Sequence, residues 1–173
     1  MNKQIFSLLF TAALMVSCAS SNANASGIRD VGGNTSDSSS SGTNAANPSS
    51  LEGHEWKLIA VYINGNNTQF NRNSLSAEMG NFFTLNFNAD LVSGVGAPNR
   101  YSAPYTLGDN QAISIMVMRS TLMATFLEPE NLTEHDFFTY MQNAYSWKLA
   151  NNNLELLSKT RDGGEVRLVF SIN

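Results

Sequence analysis

The side chains that could do chemistry in this chain are few and scattered. His54 and His135 are the only histidines, and acid–base catalysis needs such a group to converge with other titratable side chains in a pocket. His54 stands beside Glu55 at what reads as the start of a domain, a solvated position. His135 lies in Thr133-Glu134-His135-Asp136, where acids at a helix start meet the positive end of the helix dipole. That tetrad is read as a cap and not as a metal or acid–base site. Glu128 and Glu130 flank Pro129 and pair two carboxylates in an expected exposed loop. The sequence holds no G-x-S-x-G elbow, Walker loop, H-E-x-x-H pair or dinucleotide fingerprint. Gly94-Val95-Gly96 leads into a strand, not a helix, and so is no phosphate cradle. The inventory predicts no catalytic residue, no metal site and no cofactor.

Two further sets remain. Met116, Met118 and Met123 could line a pocket for an apolar ligand, because thioethers adapt to irregular shapes; the plainer reading is ordinary core, with both faces of their strand covered. The other is Cys18, the one cysteine. A single thiol excludes an internal disulfide and a Cys-based zinc site. Its meaning lies in its setting. Residues 1–4 carry Lys3, residues 5–16 are mostly apolar (IFSLLFTAALMV), and Ser17 precedes the cysteine. This is the layout of a secretory leader, and about a dozen apolar residues fall short of the roughly 20 that span a bilayer. Leu14-Met15-Val16-Ser17-Cys18 resembles a bacterial lipobox, with Met15 where leucine is usual. The expected outcome is cleavage before Cys18 and lipid on that residue, and several acyl chains give stable anchoring. The alternative is an ordinary leader cut after Ala23-Asn24-Ala25.

Once residues 1–17 are removed with Lys3, nine basic side chains face 14 acidic ones, a net charge of −5. No Lys/Arg cluster interrupts that balance, which argues against nucleic acid as a partner. Residues 18–50 are rich in Ser, Asn and Gly, with Ile28 and Val31 as the only large aliphatics. Such a segment cannot bury a core, and as a flexible coil it spans about 30 Å r.m.s.. It is expected to be a disordered tether.

Residues 51–173 are expected to form the domain. Short apolar segments alternate with Asn/Gly/Asp turns, the rhythm of antiparallel β structure. Strands are expected over 56–63, ending at the hairpin dipeptide Asn64-Gly65, and over 83–87, where Phe83, Leu85 and Phe87 alternate with wet-facing Thr84 and Asn86. Further strands are expected over 91–94, 101–106, 112–118, 145–149, 154–157 and 166–170. One helix is expected over 134–142, capped by Thr133 with Asp136 and carrying the apolar stripe Phe137, Met141 and Ala144. The pattern is thus mainly β, about eight antiparallel strands with one packed helix.

Across almost all of this domain the chain resembles the META, or HslJ-like, family. Leu51-x-Gly53-x-x-Trp56-x-Leu58 is similar to its first-strand signature. Gly94, Gly96, Asn99 and Tyr101 are similar to its glycine-rich loop and following strand, and Thr121 and Met123 to the segment before its helix. The resemblance implies a β-barrel-like envelope domain, an association with stress or envelope maintenance, and no enzymatic activity. Many relatives place cysteines where this chain has Pro98 and Thr125, which implies that a disulfide has been lost. The expected protein is a noncatalytic lipoprotein of the bacterial cell envelope, exported and membrane-anchored through Cys18, whose partner is an envelope protein. The alternative is a carrier of a small apolar ligand or lipid in the barrel.

Overall fold

The computed structural model describes residues 47–124 and 129–172. Cys18, the leader, the tether up to residue 46, Thr125 and Glu128 lie outside them. Strand β1 (Glu55–Ile63) turns at Asn64 and Gly65, whose φ values of 49° and 81° let it pair back on the short β2 (Asn66–Asn67). The chain then forms β3 (Thr84–Asn88), β4 (Leu91–Val95), β5 (Arg100–Leu107), β6 (Ile113–Ile115) and β7 (Arg119–Ser120). Helix α1 (Glu134–Gln142) precedes β8 (Ser146–Ala150), β9 (Asn153–Lys159) and β10 (Glu165–Ser171). Asn151 and Asn152, both at positive φ, make the β8–β9 hairpin turn.

Eight strands run β6-β5-β4-β3-β1-β10-β9-β8, every pairing antiparallel. The two ends of that order meet at a bridge between Ala112 and Ser146, where the Ile113 amide donates to the Tyr145 carbonyl at 3.2 Å. The sheet is therefore a nearly closed barrel, as the family resemblance implies. Inward side chains form one continuous core that includes Leu58, Leu85, Phe87, Trp147, Leu156 and Phe170. Fully burying each such side chain is worth roughly 1.5–3 kcal/mol. The helix forms where predicted, with the Thr133 hydroxyl accepting from the Asp136 amide at 3.1 Å. Its stripe packs Phe137 against Phe83 and Tyr101, at ring separations of 5.1 and 5.9 Å.

Two expectations are corrected. Thr84 does not face water; it is buried, because both its hydroxyl and its carbonyl are used internally, as described below. The strand expected over 112–118 stops at Ile115. Met116 donates its amide to the Pro104 carbonyl at 2.9 Å, but proline has no N–H with which to complete that ladder pair. The pairing with β5 then slips by one residue, from Tyr105 opposite Ile115 to Ser102 opposite Arg119. This is a bulge at Val117 and Met118. Both faces of the segment are therefore not covered: Met116 and Val117 stand 50% and 78% exposed.

Candidate functional site

The β4–β5 hairpin carries four of the residues singled out in the sequence, Gly94, Gly96, Asn99 and Tyr101. Gly94 lies opposite Tyr101 in the β4–β5 ladder. A Cβ on Gly94 would sit 2.1 Å from the Thr84 carbonyl oxygen, so glycine is required here by close approach of another strand and not by its φ. The Tyr101 hydroxyl donates to that same carbonyl at 2.7 Å, and the Val95 amide donates to the Thr84 hydroxyl at 3.1 Å. Burial pushes the Tyr101 phenol far above its ordinary pKa, so it remains a donor.

The loop's backbone donors all have acceptors. Gly96 donates to Asn99 O at 2.6 Å, and its own carbonyl accepts from Phe83 at 3.0 Å. The Ala97 and Asn99 amides both donate to Glu134 Oε1, at 2.5 and 2.7 Å. Pro98, which follows a cis peptide bond, has no N–H to satisfy. Glu134 is thus the acceptor for a turn that lies more than thirty residues away in sequence. Gly96 makes room for it, since a Cβ there would lie 2.6 Å from Glu134 Oε1 and 2.7 Å from the Phe138 ring.

Asn99, only 7% exposed, joins this carboxylate to the segment before the helix. Its Nδ2 donates to Glu134 Oε2 at 2.7 Å and reaches Met123 O at 3.4 Å. Its Oδ1 accepts from the Thr121 hydroxyl at 2.9 Å and from the Met123 amide at 2.6 Å. A carboxamide has two donor hydrogens and two acceptor lone pairs, and all four are spent within the chain. Thr121 in turn accepts from the Arg100 amide at 3.2 Å. Gly94, Gly96, Asn99, Tyr101, Thr121 and Met123 are therefore brought together, in a latch whose polar groups hold one another. Glu134, its central acceptor, was read in the sequence only as a helix-start acid. Its position at the first turn of α1 was legible, but nothing local in the sequence pairs it with residues 97–99.

The methionine set is not brought together as a pocket. Met118 packs partly against the core, whereas Met116 and Met123 stand 50% and 59% exposed. Met116 follows the end of β6, whereas Met123 lies beyond β7. Pro98 and Thr125 cannot be compared, because Thr125 lies outside the described residues; Asn99 and Met123, close to them in sequence, are hydrogen-bonded.

The histidines lie apart. His54 is exposed and stacks edge-on near Trp56, with ring centres 5.8 Å apart. His135 is exposed, with its Nε2 2.6 Å from the Arg161 guanidinium, which can only donate. Beside it an open depression of about 570 Å³ is lined by Asn143, Tyr145, Lys159, Arg161 and Glu165. There the Tyr145 hydroxyl donates to Glu165 Oε2 at 2.8 Å, and this bond raises the phenol's pKa above its ordinary value. Among the described residues no three His, Cys, Asp or Glu side chains are grouped to hold a metal, and no helix is long and apolar enough to cross a membrane.

The family model of the META domain matches residues 49–170. None of the curated proteins matches the chain. Solved structures similar to it include the following two. The NMR structure of a protein from Burkholderia xenovorans shares 21% identity, covers 79% of this chain and 97% of its own, and superposes with a TM-score of 0.48. The crystal structure of a DUF4847 family protein from Bacteroides vulgatus shares 13% identity, covers 71% and 94%, and superposes with a TM-score of 0.50. At 13% identity the likeness to the Bacteroides vulgatus protein is one of fold.

Proposed function

This chain belongs to the META domain family, and from that premise we propose that it is a noncatalytic lipoprotein of the bacterial cell envelope. It is exported, cut before Cys18 and held to a membrane by lipid on that residue, and its domain serves as a binding or maintenance module. The observation that carries the noncatalytic reading is the saturated Asn99 carboxamide. The family-signature residues spend their hydrogen bonds on the fold, and a group that must bind or activate a substrate needs capacity to spare. The tethered reading is carried by the apolar run ending at Ser17-Cys18.

A second reading, a carrier of a small apolar ligand or lipid, is favoured by one feature. The Trp147 indole N–H is buried without an acceptor among the described residues, an arrangement that costs about 1–3 kcal/mol and that the ester carbonyl of a lipid, unlike a purely apolar ligand, could relieve.

One preparation tests both. Chain purified from envelopes and weighed intact is expected to begin at Cys18 and to carry acyl chains, with palmitate labelling abolished in Cys18→Ser. A mature start at Ser26, or label retained in the serine variant, would refute the lipoprotein reading. Stoichiometric lipid released from the protein under denaturing conditions would favour the carrier.

A further inference from the structure

Of the seven large apolar side chains that stand exposed among the described residues, four fall within residues 116–123: Met116, Val117, Leu122 and Met123, with Leu122 97% exposed. A fifth, Leu91, belongs to the same side of the barrel, since it pairs with Pro104, whose carbonyl accepts from Met116. Surface hydrophobes scattered singly need no explanation, but a concentration of this kind marks an interaction surface.

The charges beside them identify its partner. Arg100 and Arg119 are both exposed and line one shallow depression with Ser102 and Thr121. The β5–β7 register sets Arg119 opposite Ser102, on the face that Arg100 also presents. The other arginines among the described residues are engaged. Arg72 donates to the Phe82 carbonyl, Arg161 meets His135, and Arg167 lies 3.4 Å from Glu155. Among the described residues neither Arg100 nor Arg119 has a carboxylate within ion-pair distance. Two uncompensated cations between two pairs of exposed apolar side chains thus stand on a chain whose net charge without its leader is −5.

We propose that this face, Met116 to Met123 with Arg100 and Arg119, docks on an anionic lipid surface. Val117 and Leu122 enter the headgroup layer while the arginines meet lipid phosphates. Apolar side chains that penetrate the interface beside basic ones are the general means by which a soluble domain lies on a membrane. The length of residues 18–50 permits it, because a chain of that length can extend well beyond the diameter of a domain this size and leaves any face able to reach the bilayer. The overall negative charge repels an anionic surface in other orientations. The inference deepens the lipoprotein reading and rests on it only for the tether that brings domain and membrane together.

The test uses the full chain carrying Leu122→Trp, mixed with vesicles in which a quarter or so of the lipid is phosphatidylglycerol and the acyl chains are brominated. Both native tryptophans are buried, so collisional quenching reports the new indole. Docking predicts strong quenching of that indole. Arg100→Ser and Arg119→Ser should each weaken docking of this face, read as the ratio of quenched to unquenched indole, about fivefold, and raised salt or purely zwitterionic lipid should weaken it further. Unquenched fluorescence under all these conditions would overturn the proposal. So would a crosslink from position 122 to an envelope protein with no lipid quenching, which would assign the face to a protein partner. The mass of the same sample decides the lipoprotein reading separately, since quenching is read whether or not Cys18 carries acyl chains.

Discussion

Glu134 and Glu155 are carboxylates withdrawn from full contact with water, and they differ in what they hold. Glu155, on the outer face of β9, lies 3.1 Å from Lys148 on β8 and 3.4 Å from Arg167 on β10, and Arg167 also covers the Tyr62 ring on β1 at 4.0 Å. This row of charge crosses strands that full backbone ladders already join. Glu134 accepts from two backbone amides and one side-chain amide of a loop that is tied to the helix in no other comparable way. The lesson is that a carboxylate's worth depends on whether its partners have another restraint. Ion pairs whose cations stand largely in solvent, across a formed ladder, add little, whereas an acceptor for otherwise orphaned buried donors is costly to lose.

Removing each carboxylate should separate the two regions sharply. Glu134→Ala leaves three donors without their acceptor and is expected to destabilise the protein by about 3 kcal/mol in denaturant titration. Glu134→Gln, which keeps an oxygen for the loop amides but turns an N–H toward Asn99 Nδ2, should cost about half as much. A loss below about 1 kcal/mol for Glu134→Ala would dissolve the distinction between the regions.

The Tyr101 hydroxyl sharpens the comparison through pH. Its pKa is raised in the folded protein by burial, while in the unfolded chain it ionises near 10. Its contribution is therefore complete below about pH 10 and is lost as the pH rises beyond that, by about 1.4 kcal/mol per unit while only the unfolded chain has released the proton. In Tyr101→Phe this alkaline loss should be shallower, at a cost near neutrality of about 1 kcal/mol for the missing bond to Thr84. An unchanged alkaline slope in the variant would remove Tyr101 from the account. The smallest effect is expected on the charge row, where Glu155→Gln should change stability by no more than about 1 kcal/mol, less in high salt.

How much of this was legible in the sequence follows the range of the interactions. Strands and turns could be read because their causes are local: apolar alternation in β10, Asn64-Gly65 and Asn151-Asn152 at positive φ, and Thr133 three residues before Asp136. The early end of β6 has its cause in Pro104 on the neighbouring strand, so the apolar run over 112–118 looked uninterrupted. Thr84 looked wet because its type is polar, and its burial depends on Tyr101 and Val95. The signature residues of the latch could be picked out by resemblance, but what they do depended on Glu134. Its connection to Ala97 and Asn99 is a fact of tertiary geometry that no spacing rule contains.

The central claim, that Glu134 fixes the glycine loop by accepting its buried amides, is tested most directly by native-state hydrogen exchange at Ala97 and Asn99. In the wild type these two amides should be protected to the level of neighbouring strand amides. In Glu134→Ala they should exchange at least about tenfold faster, equivalent to ~1.4 kcal/mol of local stability, relative to amides of β9 and β10 in the same molecule. Equal rates in the two proteins, or acceleration spread uniformly over β9 and β10, would contradict it.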